Sequence, residues 1–536
     1  MAVPRPCVQN QVCEWSYSSG KAYADPFNEL GLDMRVDGPG GTWRVPAYWA
    51  GGQEWRVRFS PPAVGLYRCR TVCSDATNGD LHDQQGQFQA SAYEGDNPLL
   101  RHGAVHVAPD RKHFQHADGT PFFWLGDTWW MSLTGRLGWP EDFQRLTADR
   151  KAKGFTVVQL VAGLFPDMPA FDERGANEAG QAWEADFAAI RPAWYDLADL
   201  KIQWLVREGL VPCVFPCWGY YLPWMGVEKM KKHWRYLVAR WGAYPVIWSL
   251  AGEATMPWYL DSNAPHDSAE LKEGWTELGR YLRQVDPYRR MVTIHPIVVA
   301  RDSVLDDSVI DFDMLQTGHS GPPSFPRTMK FLLSEQARQP TMPVMIGEVN
   351  YENLVMGNSD EVQRLTFWGC MLSGAPGHTY GANGLFQVNT PTQQMGRSPH
   401  GCNWGDTLWT DAMNYPGSSQ LGLGAKLLQE YPWHRFQPHQ DWIEPAANAK
   451  NWFGAFAAGI PGQVRIIYLY QPIRPWEKTR TKVVGLERDV QYRAFYFDPR
   501  TGVRTPLGPV QADASGAWPI PGQPIMKDFV LVLERV

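Results

Sequence analysis

The feature that most narrows the folds open to this chain is a pair of short apolar runs. Val246-Ile247-Trp248-Ser249-Leu250-Ala251-Gly252-Glu253 and Pro343-Val344-Met345-Ile346-Gly347-Glu348 are both free of charge until they close on a glycine and a glutamate. β-Branched, charge-free runs of this length read as strands buried on both faces, as in parallel sheets. Each would deliver one carboxylate at its C-terminal end. The glutamates lie 95 positions apart, which matches about three strand–helix units of roughly 30 residues each. In an eight-stranded (β/α) barrel all strand C-termini open onto one face, so carboxylates from distant strands can meet across the mouth.

The remaining texture supports a multidomain chain with that barrel at its centre. Residues 1–100 alternate apolar and polar positions, as in Glu54-Trp55-Arg56-Val57-Arg58-Phe59 and Gly65-Leu66-Tyr67-Arg68-Cys69-Arg70-Thr71-Val72, with Pro and Gly between the runs. That pattern predicts an antiparallel β-sandwich. Over 105–437 strand and helix patterns alternate, predicting a TIM (β/α)8 barrel. Strands are expected at 122–126, 156–161, 211–215, 246–250, 291–295, 312–317, 344–348 and 378–381. Helices are expected at 141–153, 194–208, 229–241, 269–284, 326–336 and 360–372. A doubly wound open sheet is the alternative, but no GxGxxG or GxxxxGK[ST] follows a strand. Residues 438–536 return to alternation, as in Val464-Arg465-Ile466-Ile467-Tyr468-Leu469-Tyr470, and predict a second antiparallel β-sandwich.

Composition excludes several roles. The 536 residues are 44% hydrophobic and 20% charged with a net charge of -6, so no pull toward nucleic acid or an anionic membrane is expected. The apolar stretch from Gly209 to Val227 could nominally cross a bilayer, but Pro212, Pro216 and Pro223 interrupt it. No secretory leader pattern opens the chain, so a cytoplasmic location is expected, or a periplasmic or secreted one if a leader was removed. Of the eight cysteines, Cys7/Cys13 and Cys69/Cys73 are the pairs that could be bridged; reduced thiols are the other reading. No Cys/His grouping has zinc-ligand spacing, and neither a cofactor nor a metal is expected. Oligomeric state is left open by the sequence.

Two facing carboxyl groups are what glycosidic bond cleavage requires, one donating a proton to the leaving oxygen and one attacking or activating water. Glu253 and Glu348 are therefore the expected catalytic residues, and an oligosaccharide or glycoside the expected substrate. The 26 Trp, 21 Tyr and 23 Phe fit this, because aromatic faces stack on the C–H faces of sugar rings. Polar and aromatic residues recur at the other strand ends and are expected to bind substrate: Asp127, Trp129 and Trp130 after strand one, Gln159 on strand two, and Trp218 after strand three. His295 ends strand five, Gln316 and His319 end strand six, Tyr351 and Glu352 follow Glu348, and His378 and Tyr380 mark strand eight. Two other readings compete: a non-catalytic carbohydrate-binding protein on the same barrel, and a metal-dependent hydrolase using His295, His319 and His378.

In combination, FFWLGDTWW, RKAKGFTVVQL, VIWSLAGE, the His295-Pro296 pair, MLQTGHS, PVMIGEVNYE and GHTYGANGL resemble the apiosidase-like glycoside hydrolase family. The resemblance covers essentially the whole chain: WRVRFSPPAVGLYRCR is similar to the small β-sandwich that often precedes that barrel, and FYFDPRTG to the β-domain that often follows it. It implies Glu253 as general acid/base, Glu348 as nucleophile, and retention of configuration. Relatives in the wider clan carry Asn before the acid/base, where this chain has Gly252, and some apiosidase-like members carry Asp in place of Glu253.

Overall fold

A computed structural model describes residues 5–261, 268–471 and 481–536. The N-terminal alternation folds as expected into two sheets. Five strands order as Arg5–Val8, Gln85–Ser91, Gly65–Cys73, Leu32–Gly38 and Gly41–Pro46, and three as Cys13–Ser18, Glu54–Phe59 and Tyr48–Gly51. Tyr67, Cys69, Thr71 and Cys73 of one strand turn inward while Arg68, Arg70 and Val72 face solvent, the period of two that a half-buried strand imposes. Cys7 and Cys13 are bridged, whereas Cys69 and Cys73 are free. The second pair lies four residues apart on one extended strand, about 13 Å at the usual rise, beyond the reach of a disulfide.

Eight parallel strands form the barrel: β1 (Trp124–Thr128), β2 (Val157–Val161), β3 (Val211–Phe215), β4 (Ile247–Ser249), β5 (Val292–Thr293), β6 (Asp313–Gln316), β7 (Val344–Glu348) and β8 (Gly377–Tyr380). Their order, β5-β4-β3-β2-β1-β8-β7-β6, leaves a seam between β5 and β6, so the ring is nearly rather than fully closed by strand pairing. Asp311 stitches that seam: its Oδ2 accepts from Val292 N at 2.7 Å and its own N donates to Val292 O at 2.7 Å. No α-helix separates β5 from β6; two 3-10 turns, Ala300–Ser303 and Asp307–Val309, make the connection. β1 begins two residues later than expected because Phe122 is taken up by a three-stranded sheet, Val105–Val107, Phe114–His116 and Pro121–Phe122. Phe114 of that sheet closes the lower end of the barrel against Trp124 and Phe312, with ring centroids 5.5 and 5.2 Å away.

Buried charges join the outer sheets to the barrel. Arg58 reaches from the N-terminal sheet to Asp199 (2.6 Å) and to the Arg240 carbonyl (2.8 Å) on the helices Pro192–Arg207 and Tyr221–Trp241. At the other end Arg364, on helix Asp360–Met371, makes a bidentate pair with Asp528 at 2.7 and 2.9 Å. The C-terminal residues form a six-stranded sheet, ordered Gln437–Pro438, Ala455–Ile460, Val464–Leu469, Phe529–Arg535, Tyr492–Phe497 and Arg504–Pro509, and a three-stranded one. Among the described residues no helix is long and apolar enough to cross a membrane.

Candidate active site

The two glycine–glutamate endings have separate packing causes. A Cβ on Gly252 would lie 2.2 Å from the Trp218 ring, so the indole lies flat against the backbone there and excludes any side chain. A Cβ on Gly347 would lie 2.3 Å from Met314 Cγ on β6. Beside it the β6–β7 register slips between Leu315 and Gln316, so that Gln316 sits opposite Glu348. A bulge of this kind re-aims a side chain at a strand end. Glu253 itself takes φ 40°, a left-handed conformation rare outside glycine and a form of strain found at functional sites. His295 holds it, with Nδ1 3.4 Å from Glu253 N and its carbonyl accepting from Ala254 N at 3.0 Å.

The carboxylates meet. One amide nitrogen, Gln316 Nε2, donates to Glu253 Oε1 at 2.8 Å and to Glu348 Oε1 at 3.3 Å, so those two oxygens lie within about 6 Å of each other. Their surroundings differ. Glu348 is buried and accepts from His319 Nε2 at 2.9 Å and from the Tyr351 hydroxyl at 2.6 Å. His295 Nε2 stands 3.2 Å from Glu348 Oε2, aligned too poorly for a full hydrogen bond. The Tyr351 amide donates to His319 Nδ1 at 3.1 Å, which leaves the proton on Nε2 facing the carboxylate. Burial pushes the Glu348 carboxyl up, but the hydrogen-bonding and electrostatic contacts of His295 and His319 outweigh it and hold the group well below the usual carboxylate range. Glu253 accepts from the Trp218 indole at 2.9 Å and from Gln316 and has no cationic donor. Burial first, and the nearby Glu348 charge second, push it up. Two neighbouring carboxyl groups are thus driven in opposite directions.

Of the residues expected to bind substrate, the structure brings Trp218, His295, Gln316, His319 and Tyr351 onto the pair. Trp130 stands behind them, its ring 5.4 Å from Trp218 and 5.7 Å from His295. Gln159 is fully buried at the register of Thr128, and neither of its amide atoms has a protein partner. The others are not brought to the pair. Asp127 accepts from Arg150 at 2.6 Å and from the Trp129 indole at 2.7 Å, all three fully buried, so it orients Trp129 rather than gripping a sugar. His378 lies edge-on to Phe367 of the outer helix, 5.8 Å between centroids, and burial pushes it down to about 3.

Glu352 and Tyr380 bond each other at 2.5 Å, and Glu352 also accepts from Gly417 N at 3.1 Å. Burial pushes Glu352 up to about 7, against those two hydrogen bonds. Its pKa is raised on folding, so the folded chain holds a proton the unfolded chain has lost, and stability falls as pH rises from about 4.5 to about 7. Glu352→Gln, which needs no proton, is expected to leave the melting temperature nearly unchanged at pH 5 and to raise it at pH 8.

The sequence patterns did not flag Asp167, Tyr259, His400 and Trp404. These lie on segments after β2, β4 and β8 that carry no periodicity, and the His400–Asp167 contact (3.7 Å) joins residues far apart in the chain. Among the described residues no group of three or more His, Cys, Asp or Glu is placed to hold a metal ion.

The parallel eight-stranded barrel is shared with solved glycoside hydrolases. One glycoside hydrolase is 22% identical with a TM-score of 0.66, covering 82% of this chain and 98% of its own. A glycoside hydrolase family 5 structure from Bacteroides vulgatus is 20% identical with a TM-score of 0.67, covering 82% and 94%. A candidate glycoside hydrolase from the same organism is 18% identical with a TM-score of 0.70, covering 99% and 100%. No curated protein matches the chain in sequence. Residues 108–435 match the Apiosidase-like catalytic domain, and residues 8–74 match a domain of unknown function, DUF5060. The chain belongs to the apiosidase-like family and is a glycoside hydrolase.

Proposed function

We propose that the chain is a retaining, exo-acting glycosidase with Glu348 as nucleophile and Glu253 as acid/base. The observation that carries this reading is the Gln316 amide spanning both carboxylates, which keeps their oxygens within about 6 Å. Retaining enzymes hold the two carboxyl groups about 5–5.5 Å apart, while inverting ones leave about 6.5–9.5 Å for a water. The opposed protonation tendencies support the roles. Glu348, kept ionised by His295, His319 and Tyr351, attacks the anomeric carbon as Glu253 gives its proton to the departing oxygen. Glu253, now a carboxylate, then takes a proton from water, whose oxygen displaces Glu348 from the anomeric carbon. Exo action is supported by the segment after β8, which reaches across the mouth: Arg174, after β2, donates to Met395 O at 2.8 Å, and the His400–Asp167 contact lies nearby.

The family description makes apiosides the first substrates to test. Gly252 offers no side chain to a sugar hydroxyl, so the hydroxyl beside the anomeric carbon is recognised by other groups. The decisive experiment follows product configuration by NMR over 4-nitrophenyl glycosides of apiose, glucose, galactose, mannose, xylose and arabinose. First-formed product with the substrate's configuration supports the reading. Inverted product overturns the nucleophile, and binding without hydrolysis across the panel turns the chain into a carbohydrate-binding protein.

A further inference from the structure

A second cluster shares the cleft with Glu253 and takes no part in the network around Glu348. The rings of Tyr259 and His400 meet edge-on at 4.8 Å, and those of His400 and Trp404 at 6.1 Å. His400 Nε2 lies 3.7 Å from Asp167 Oδ1, and the charge of the same carboxylate acts on the Tyr259 phenol. Behind Tyr259 stands Tyr220, 5.6 Å away, whose hydroxyl is spent on the Phe165 carbonyl at 2.8 Å. Tyr220 lies two residues beyond Trp218, whose indole donates to Glu253 at 2.9 Å, and Tyr259 follows Glu253 on the segment after β4, so this wall stands on the acid/base side of the cleft. His400 is exposed, and Tyr259 and Trp404 are half-buried, so their faces remain open to a ligand. Asp167 sits in a left-handed conformation, φ 58°, and the two groups its carboxylate acts on, Tyr259 and His400, come from segments that follow different strands.

In a retaining glycosidase the acid/base protonates the oxygen of the leaving group, so whatever lies on its side of the cleft meets that group. We propose that Tyr259, His400 and Trp404 form the leaving-group subsite, and that it accepts a sugar ring. The inference rests on the assignment of Glu253 made above. Apolar ring faces alone would suit an aromatic alcohol equally well. This wall also presents a carboxylate, an imidazole and a phenolic hydroxyl within one cluster, and an aromatic alcohol with a bare ring would leave them desolvated without partners. A pyranose satisfies both demands, with C–H faces for the rings and hydroxyls for Tyr259 and His400. Asp167 is a positioning residue: it fixes Tyr259 and His400 relative to one another across the mouth.

The test uses the full chain and two substrates of whichever glycon the panel shows to be turned over: its glycosyl fluoride, whose leaving group is a single atom, and its disaccharide with glucose as leaving group. The readout is the ratio of kcat/KM on the disaccharide to kcat/KM on the fluoride. His400→Ala and Trp404→Ala are each expected to lower that ratio by about 10- to 100-fold, because contacts to a remote ring are spent at the reacting bond. Asp167→Asn is expected to lower it in the same direction. Parallel losses on both substrates, leaving the ratio unchanged, overturn the inference and reduce the cluster to loop packing. A ratio that falls only when 4-nitrophenol replaces glucose as leaving group overturns the choice of a sugar. Failure of the unaltered chain to hydrolyse any fluoride overturns the glycosidase reading itself, and this inference with it.

Discussion

Replacing Glu348 by glutamine is expected to lower kcat by on the order of 10⁵-fold on every glycoside, glycosyl fluorides included, while the chain stays folded. The amide cannot form the glycosyl ester, and leaving-group quality cannot compensate for a missing nucleophile. The substitution also reports on the surroundings. His319 and Tyr351 donate to the two oxygens of Glu348, with His295 3.2 Å from one of them, so the new NH2 group must face a donor whichever way the amide turns. A buried donor left unpaired costs about 1–3 kcal/mol. Because folding lowers the Glu348 pKa, its ionised form stabilises the folded chain above the unfolded value near 4.5, and that contribution is lost as pH falls through the folded value. The melting-temperature gap between the original chain and Glu348→Gln should therefore be widest near neutral pH and should narrow in acid. Turnover above about one per cent of the original by the folded variant would remove Glu348 from the mechanism.

Barrel strands were legible because they are short and mostly apolar, β3 without a charge and β7 charged only at its last residue: these occupy 211–215 and 344–348, as the pattern predicts. The helix Pro416–Gln429 after β8 was not predicted. Its sequence begins Pro-Gly-Ser-Ser and carries Gly417, Gly422 and Gly424, residues that lower helix propensity. Close packing explains them: a Cβ on Gly422 would meet the Lys153 carbonyl at 2.0 Å, and one on Gly417 the Glu352 carboxylate at 2.4 Å. Within the site, residue type at a strand end was readable but its facing was not. Tyr351 bonds Glu348 while Glu352, one residue on, bonds Tyr380 and the helix start behind it. Thr128 shares a register with the buried Gln159 while Asp127, one residue earlier, binds Arg150. Successive side chains of an extended segment point to opposite faces, so an error of one position exchanges a substrate contact for a structural clamp. The Asp167–Tyr259–His400 wall left no trace in the pattern, because loop segments have no period from which spatial proximity can be read.

Glu253 provides the sharper discrimination, since its removal is expected to harm substrates unequally. Its oxygens accept from Trp218 and Gln316, and the neutral acid can keep both bonds and turn its O–H into the cleft. Glu253→Ala should therefore lose about 10²–10⁴-fold on a disaccharide, whose departing oxygen needs that proton, and far less in the first step on a fluoride, which leaves as a stable anion. Activated substrates will then stall at the glycosyl-enzyme, because no base deprotonates the incoming water. Added azide, which needs no deprotonation and fits the space vacated by the carboxylate, is expected to restore turnover and to yield a glycosyl azide of retained configuration. The pH profile carries the same logic. Burial and the Glu348 charge hold Glu253 protonated above the usual carboxylate range, so kcat/KM should decline on the alkaline side as Glu253 ionises. That limb should vanish in Glu253→Ala. Equal losses on disaccharide and fluoride, with no rescue by azide, would assign the proton transfer to another group, and the separation of roles between two carboxylates that share one glutamine amide would no longer hold.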